Sequence, residues 1–363
     1  MAPTASFRVT LQPSGHGFTT DGSESILQAA LDAGLTLPYG CRNGACGACK
    51  GTVLDGLVDH GMAQEHALPT ADRAQGKALF CCAKPLSDLV LECREVGTAK
   101  NIPVKIMPCR VQTMERLADD VMLLSLKLPA NERLQFLAGQ YIEFLLKDGK
   151  RRAFSIANAP HDDGFMQLHI RRIDGGEFTQ HVFSVMKEKD ILRFEGPHGS
   201  FFLREESAKP MILLAGGTGF APIKALVEHA IHSRIARPME IYWGARNRAG
   251  LYLPDLPRQW AAAHSHIRYI PVLSDAAPED AWQGRGGLVH SAVLQDHPDL
   301  SAWQVYACGA PVMIDAARAE FVAHGLPVEE FFADAFTFMS SPNKAETVHN
   351  GMSPPDGAAS ETS

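Results

Sequence analysis

The chain has 363 residues, 45% of them hydrophobic and 21% charged, with a formal net charge of −7. The length is typical of two or three domains, the composition is that of a globular protein, and the negative balance argues against binding that depends on nucleic-acid phosphates. No basic N-terminal segment precedes an apolar one and no run of about 18 apolar residues occurs, so we expect neither a signal peptide nor a membrane span.

The first predicted domain, residues 1–97, is small and rich in strands. A strand of alternating polarity is followed by a helix with Gly34 as its stop signal, and two further strands come later. Residues 97–103 are predicted to form a linker to the next domain. The predicted elements lie, in chain order, at 7–11, 25–33, 51–54 and 89–93.

Three cysteines follow the predicted helix with the spacing C-x4-C-x2-C: Cys41, Cys46 and Cys49. This is the spacing of a plant-type [2Fe–2S] cluster, in which a fourth, distant cysteine completes the iron ligands. Glycines within the loop allow the backbone to curl around the cluster with positive φ. The alternatives are a structural zinc site, which favours two C-x2-C pairs, and a disulfide framework. A thiolate-bound cluster without a disulfide pattern is expected in a reducing cytoplasm.

Two adjacent cysteines, Cys81 and Cys82, are candidates for the fourth ligand. In an extended segment neighbouring side chains point to opposite sides, so only one of the pair would face the cluster. Residues 79–85 match the L-x-C-x-A-x-P segment that closes ferredoxin domains, with the cysteine at position 81. We therefore predict Cys81 as the ligand and expect Cys82 to point away from it.

The rest of the chain contains two further domains and a tail. Residues 98–203 carry four short strand signals separated by turns, which is typical of a small antiparallel barrel. In residues 204–338, apolar strands alternate with helices, which predicts a doubly wound α/β domain. The tail, residues 339–363, is rich in Ser, Pro, Gly and Ala, and we expect it to be disordered. The strand signals lie at 121–128, 141–146, 165–170, 191–194, 211–215, 240–244, 267–273 and 305–308, and two of the helices at 222–232 and 312–324.

A glycine-rich run directly follows the first strand of the α/β domain and opens a helix. In that position its backbone N–H groups and the helix N-terminus can bind a pyrophosphate, although an ordinary β-to-α turn would have the same composition. Cys308 and Gly309 end a later strand, at the edge where such sheets bind ligands. Cys308 is therefore expected beside a nicotinamide ring, unless it is only a buried thiol. The predicted nucleotide-binding residues of the run are Gly216, Gly217, Thr218, Gly219 and Pro222.

The barrel domain contains the short motif Arg152-Ala153-Phe154-Ser155. Its arginine can bind a phosphate with two hydrogen bonds, its phenylalanine can stack on a flat ring, and its serine can hydrogen-bond such a ring. Without further context, an ordinary strand with an exposed arginine is the favoured interpretation.

Taken in order, these motifs resemble the ferredoxin–NADP+ reductase superfamily, and in particular its reductases with an N-terminal [2Fe–2S] domain. The resemblance covers residues 6–338 and implies a β-grasp ferredoxin domain, an antiparallel flavin-binding β-barrel and an α/β nicotinamide-binding domain. In that family an R-x-Y/F-S motif binds flavin, and Phe154 replaces the more usual tyrosine, so stacking is retained without the hydroxyl. The flavin-binding residues that the resemblance implies are Arg152, Phe154, Ser155, His169, Ile170, Arg171, Gly176, Thr179 and Phe336.

The resemblance also implies an activity, in which NAD(P)H reduces the flavin and the cluster passes single electrons to a partner protein. It implies FAD rather than FMN, and catalytic roles for Ser155, Cys308 and Asp334. We predict NADH as the donor, although Arg246 follows a strand and could meet the 2′-phosphate of NADPH. The predicted partner is a sugar dehydratase or an oxygenase component, and the sequence between the motifs favours the first. The alternatives are a free-flavin reductase and a plain electron carrier or redox sensor.

Overall fold

The computed structural model describes residues 6–93 and 102–336. Within them, sheets of five, six and six strands follow one another along the chain, together with a two-stranded ribbon. The predicted tail, 339–363, and most of the predicted linker lie outside the described residues. The described residues contain no helical stretch with the length and hydropathy of a membrane span.

The first unit is a β-grasp fold, in which a helix packs across a mixed sheet. Ile26 and Leu27 of the helix are buried in one core with Val9 of the sheet. The helix begins after Ser25, as predicted, because the Ser25 hydroxyl accepts a hydrogen bond from the Gln28 N–H at 3.3 Å. The elements are β1 (Phe7–Gln12), β2 (Gly17–Thr20), α1 (Ile26–Asp32), β3 (Lys50–Asp55), β4 (Val58–Asp59), α2 (Thr70–Ala74), β5 (Lys77–Leu79), β6 (Lys84–Pro85) and β7 (Leu89–Glu92). The sheet order is β2-β1-β7-β3-β5, with β1 and β7 parallel and the other neighbours antiparallel.

One prediction for this unit is wrong. Residues 80–82 form a turn after β5 and not an extended segment. The turn is closed by hydrogen bonds from the Cys82 and Ala83 N–H groups to the Leu79 carbonyl, at 2.9 and 2.8 Å. Cys82 therefore does not point away from Cys81, and the two Sγ atoms lie 3.6 Å apart.

The second unit is an antiparallel barrel. Its six strands pair in the order β11-β10-β13-β8-β9-β12, and a bridge between Ile156 and Leu168 joins the two ends. The four predicted strands are all present, and Phe144, Leu168 and Phe194 lie in their shared core. The elements are β8 (Lys105–Ala118), β9 (Val121–Lys127), β10 (Tyr141–Leu145), β11 (Arg151–Ser155), β12 (Met166–Arg171), α3 (Glu177–Ser184) and β13 (Ile191–His198).

The third unit is a doubly wound α/β domain, as predicted. Its six parallel strands have the order β17-β16-β15-β14-β18-β19, so the chain reverses direction across the sheet between β14 and β18. Ligands bind such sheets beyond the carboxyl ends of the strands at this reversal. The elements are β14 (Met211–Gly216), α4 (Phe220–His232), β15 (Met239–Ala245), α5 (Asp255–Ala263), β16 (Ile267–Leu273), β17 (Arg285–Gly286), α6 (Val289–Asp296), β18 (Gln304–Gly309), α7 (Pro311–Ala323) and β19 (Phe331–Ala335).

Candidate functional site

The four predicted iron ligands lie together in two pairs. The Cys41 N–H donates to the Cys46 Sγ at 3.4 Å, and the Cys46 N–H donates to the Cys41 Sγ at 3.3 Å. In the second pair the Cys81 N–H donates to the Cys49 Sγ at 3.5 Å. Two thiolates for each of two irons are what a [2Fe–2S] cluster requires, so this donor set fits the cluster.

The hydrogen bonds between these sulfurs prepare two of them to bind metal. The Cys46 thiol lowers the pKa of Cys41 to about 6, and the Cys49 thiol lowers the pKa of Cys81 to about 4. The same hydrogen bonds raise the pKa of Cys46 and of Cys49, which act as the donors. Since the thiolate is the metal-binding form, each pair holds one ligand ready and releases a proton from the other when metal binds.

The cluster loop, residues 39–49, is attached to the barrel by short hydrogen bonds. The Tyr39 N–H donates to the Ser200 hydroxyl, which in turn donates to the Tyr39 carbonyl, both at 2.9 Å. The buried Tyr141 hydroxyl donates to the Gly40 carbonyl at 2.6 Å. On its other side, Cys46 packs against a core of the α/β unit. The predicted iron ligands therefore lie where the three units meet.

A polar network beside the loop strengthens this junction. Arg42, which directly follows a cluster ligand, reaches the buried His198 ring with its Nη1 3.4 Å from Nδ1, and lies 3.9 Å from a Glu195 carboxylate oxygen. Glu195 also contacts Arg151 at 2.9 Å. Burial, and then the positive charge of Arg42, lower the pKa of His198 to about 4, so this histidine is neutral at pH 7.

The three implied catalytic residues come together where the barrel meets the α/β sheet. The Ser155 hydroxyl donates to Asp334 Oδ2 at 3.0 Å, and the Cys308 Sγ lies 3.9 Å from the same oxygen. All three are buried, with exposures of 8%, 0% and 8% for Ser155, Cys308 and Asp334. Burial raises the pKa of Asp334 to about 6 and raises the pKa of the Cys308 thiol. Beside them, the Phe336 N–H donates to the Gly309 carbonyl at 2.8 Å, which ties the end of β19 to β18.

Arg171 provides an anion-binding group opposite the glycine-rich turn. Its Nε and Nη2 atoms are buried without a hydrogen-bond partner, and the contact from Nε to Asp120 at 3.4 Å is an ion pair only. A Cβ placed on Gly217, where φ is +53°, would lie 3.4 Å from Arg171 Nη1. Buried guanidinium nitrogens with unused N–H donors require an acceptor, and a phosphate of a bound dinucleotide fits that requirement.

The glycine-rich run forms a tight turn between β14 and α4. Residues 217–219 make one 3-10 turn, with Thr218 half-buried at its centre. A Cβ on Gly219 would lie 2.0 Å from the Cys308 carbonyl oxygen, so only glycine lets the turn approach β18 this closely. Pro222 is buried inside α4, so it shapes the helix start, and the N–H groups before it remain the candidates for nucleotide contact.

The flavin motif lies on β11. Phe154 packs against Phe144 and Phe178, with ring centroids 5.8 and 5.5 Å apart, and so is partly used by the barrel core. Arg152 is half-buried, and its Nη1 donates to the Arg151 carbonyl at 2.8 Å. The other guanidinium donors of Arg152 are the ones that a flavin phosphate would use.

The remaining implied flavin contacts differ in what their side chains can do. Ile170 is fully buried in the barrel core, so its backbone alone is available to a ligand. His169 keeps a buried Nε2 without a partner, and burial lowers its pKa to about 3, so it is neutral. The Thr179 hydroxyl donates to the Gly176 carbonyl at 3.0 Å and thereby supports the start of α3.

Two residues that sequence reasoning missed support this site. The Trp243 Nε1–H donates to the Gly217 carbonyl at 3.0 Å, and the indole stacks on Phe220 with centroids 3.8 Å apart. The Tyr252 hydroxyl lies 2.9 Å from His169 Nδ1 and holds that ring across the two units. Trp243 lies in an apolar run that predicts only a buried strand, so no local signal distinguishes it from ordinary core.

Comparison with known families agrees with the three units. Residues 9–86 match a 2Fe-2S iron-sulfur cluster binding domain, residues 108–203 an oxidoreductase FAD-binding domain, and residues 213–319 an oxidoreductase NAD-binding domain. The first match decides against the structural zinc site that the cysteine spacing left open. The three matches confirm the predicted fold class and the predicted cofactors.

Individual relatives match over nearly the whole chain. A CDP-6-deoxy-L-threo-D-glycero-4-hexulose-3-dehydrase reductase from Yersinia pestis is 44% identical over 91% of this chain and 98% of its own length. The reductase component 2 of a terephthalate 1,2-dioxygenase from Comamonas is 35% identical over 91% and 97%. The crystal structure of an Amycolatopsis cytochrome P450 reductase superposes with a TM-score of 0.74 at 33% identity, covering 92% of this chain and all of the other. The chain therefore belongs to the ferredoxin–NADP+ reductase superfamily, among the members that join an N-terminal [2Fe–2S] domain to FAD- and NAD-binding domains, and it is an NAD(P)H-dependent electron-transfer oxidoreductase.

Proposed function

We propose that this reductase supplies electrons to a dehydrase that acts on a CDP-linked 6-deoxy-4-hexulose. The supporting observation is the identity of 44% with the Yersinia pestis reductase over 98% of its length, against 35% for the Comamonas dioxygenase reductase over 97%. Both matches extend over 91% of this chain, so the two identities are compared over the same length.

We also propose the division of labour along the chain. The ferredoxin domain spans 1–97, the FAD domain 98–203 and the nicotinamide domain 204–338, and each of these contains the residues that one family model matches. In this proposal the iron ligands are Cys41, Cys46, Cys49 and Cys81. The flavin is held by Arg152, Phe154, Ser155, His169, Ile170, Arg171, Gly176, Thr179 and Phe336, and the nicotinamide nucleotide by Gly216, Gly217, Thr218, Gly219, Pro222, Cys308 and Gly309.

In this proposal the buried side chains of Ser155, Cys308 and Asp334 orient the reactants and exclude water. A flavin held here would supply hydride acceptance and a cluster would supply one-electron transfer, so that a two-electron donor could serve a one-electron acceptor. Asp334 holds the Ser155 hydroxyl in one orientation at 3.0 Å. Cys308 presents an uncharged thiol beside them, because burial raises its pKa. Such an arrangement fixes the position of two flat rings relative to each other, which is the main contribution a protein makes to hydride transfer.

The nucleotide preference rests on the loops that follow β15 and β16. The Asp275 N–H donates to the Arg246 carbonyl at 2.8 Å, so one acidic and one basic residue lie at adjacent strand ends. We propose NADH as the donor, because the Asp275 carboxylate would repel a 2′-phosphate brought to these two strand ends. Substitution of Arg246 by Ala is expected to lower turnover with NADPH and NADH equally. A much larger loss with NADPH would overturn the NADH preference.

The partner is tested by reconstitution. The reaction mixture contains purified reductase, NADH, a purified CDP-6-deoxy-4-hexulose 3-dehydrase and its CDP-sugar. In this mixture we expect NADH to be consumed and a 3-deoxy product to form. If the dehydrase is omitted, we expect neither NADH consumption nor product. A parallel reaction with a purified dioxygenase component and terephthalate serves as the matched comparison. Faster coupled turnover with the dioxygenase would overturn the proposal and favour the second candidate.

That second candidate is the reductase component of an aromatic-ring oxygenase. It is supported by the 35% identity with the terephthalate dioxygenase reductase and by 36% identity with a phenol 2-monooxygenase reductase component from Pseudomonas.

A further inference from the structure

The cluster site contains one sulfur more than the cluster needs. Cys82 Sγ lies 3.6 Å from Cys81 Sγ, and Cys82 is only 7% exposed. The two side chains lie on the same side because the chain turns there, with the Cys82 N–H bonded to the Leu79 carbonyl. A fifth thiol therefore lies in direct contact with a proposed iron ligand.

Cys82 is fixed in this position by the cluster loop itself. A Cβ placed on Gly44, which lies between two ligands and has φ of +75°, would be 2.7 Å from Cys82 Sγ. On the other side, a Cβ on Gly61 would be 2.8 Å from the Cys82 carbonyl oxygen. The thiol is thus enclosed beneath the loop, and rotation of its side chain away from Cys81 is opposed by close packing.

The pairing of the sulfurs distinguishes the two neighbours. The Cys81 N–H donates to the Cys49 Sγ at 3.5 Å, which mirrors the pairing of Cys41 with Cys46. Cys82 contacts Cys81 and is not paired with Cys49 through its backbone. With Cys81 completing the second pair, Cys82 keeps its S–H, because it is the bound sulfur that loses its proton to the metal.

We propose that Cys82 is a positioning residue whose S–H donates a hydrogen bond to the Cys81 thiolate and makes the cluster easier to reduce. An added electron increases the negative charge on the cluster sulfurs, and a donor to one of them stabilises that charge. The proposal rests on the proposed ligand set and adds a fifth cysteine to it. Its effect is on the reduction equilibrium of the cluster, and hydride transfer at the buried site is not involved.

The test is a redox titration of the cluster in the whole reductase, in which low-temperature EPR measures the reduced fraction of the cluster. Cys82→Ala removes the donor and is expected to lower the equilibrium constant for cluster reduction by up to about tenfold, which is about 59 mV for one electron. Cys82→Ser keeps a hydroxyl donor and is expected to retain most of the wild-type potential. Cys93→Ala, directly after β7, is the matched control and is expected to leave the reduction potential of the cluster unchanged.

Iron content separates a donor from a ligand. The wild type and Cys82→Ala are expected to hold equal iron, and Cys81→Ala is expected to lose it. Loss of iron in Cys82→Ala, or retention in Cys81→Ala, would overturn the proposal, because Cys82 would then be a ligand. A potential of Cys82→Ala equal to that of the wild type would overturn it as well. Absence of iron from the wild type would instead overturn the proposed ligand set.

Discussion

The two redox sites of this reductase differ in how they are built and in how far they are buried. The cluster loop supplies three of the four proposed iron ligands, Cys41, Cys46 and Cys49. Of the four, only Cys49 is buried, and Cys41, Cys46 and Cys81 are partly exposed. The proposed hydride-transfer site takes Ser155, Cys308 and Asp334 from three different strands and buries all of them. A cluster that must pass electrons to another protein needs to approach the surface, whereas hydride transfer needs fixed rings and little water. The contrast predicts that each site can be disabled without disabling the other.

The largest effect is expected from Cys46→Ser. Removal of one of four thiolates is expected to prevent assembly of the cluster, so reduction of a one-electron protein acceptor such as cytochrome c falls to background. The rate at which NADH reduces the flavin, measured from the loss of the flavin's visible absorbance, is expected to stay within about twofold of the wild-type rate. Iron analysis, EPR and stopped-flow absorbance measure these quantities, with Cys93→Ser as the control. Unchanged cytochrome c activity would support the free-flavin reductase alternative.

The reverse effect is expected from Ser155→Ala. Loss of the hydroxyl that Asp334 holds at 3.0 Å would remove the proposed contact to the flavin and let the rings shift. Misplacement of reacting groups costs about 10²-fold in rate, so flavin reduction by NADH is expected to slow by about that factor. Iron content and the EPR signal after dithionite reduction are expected to match the wild type. A normal rate of flavin reduction would remove Ser155 from the catalytic residues.

The difference between a local loop and a site assembled from distant strands also explains how much of each site the sequence predicts. The cluster loop is local, so the spacing of Cys41, Cys46 and Cys49 identifies it directly. The one error there, the orientation of Cys82, arose because a turn replaces the expected extended segment. The proposed catalytic site joins residues up to 179 positions apart, and its members were predicted by resemblance to a family, since no spacing connects them.

Elements with mixed polarity were also missed. The long strand β8 contains the exposed charged residues Lys105, Arg110, Glu115 and Arg116, two bulges interrupt its pairing with β9, and Pro108 lies within it. Proline and closely spaced charges weaken a strand signal, so the pattern did not predict it. Trp243 was missed for a different reason. Its apolar surroundings predict a core residue, and that prediction is the same whether or not the side chain also holds the glycine-rich turn.

A smaller effect, on stability, is expected from Asp334→Asn. Burial raises the pKa of Asp334 from 3.8 to about 6, so the folded protein binds the proton more tightly than the unfolded chain. Stability therefore falls as pH rises from about 4 to 6, by about 3 kcal/mol in total, and roughly 1 kcal/mol of this loss lies above pH 5. The neutral Asn avoids that loss.

The melting temperature of Asp334→Asn is expected to exceed that of the wild type by more at pH 7.5 than at pH 5, as measured by flavin fluorescence. A difference that does not depend on pH would show that Asp334 does not titrate in this range.

The smallest effect is expected at the junction that connects the two sites. Arg42→Gln removes the contacts with His198 and Glu195 but leaves the backbone hydrogen bonds of Tyr39 and Gly40 in place. A partly exposed ion pair contributes up to about 1 kcal/mol, so amide hydrogen exchange in residues 39–46 is expected to rise by no more than about fivefold. Transfer from flavin to cluster is expected to slow by a similar or smaller factor, with flavin reduction unchanged. Arg73→Gln, whose guanidinium contacts Glu65 within the ferredoxin unit, is the matched control. Equal exchange in Arg42→Gln and Arg73→Gln would show that the backbone contacts alone hold the cluster loop on the barrel.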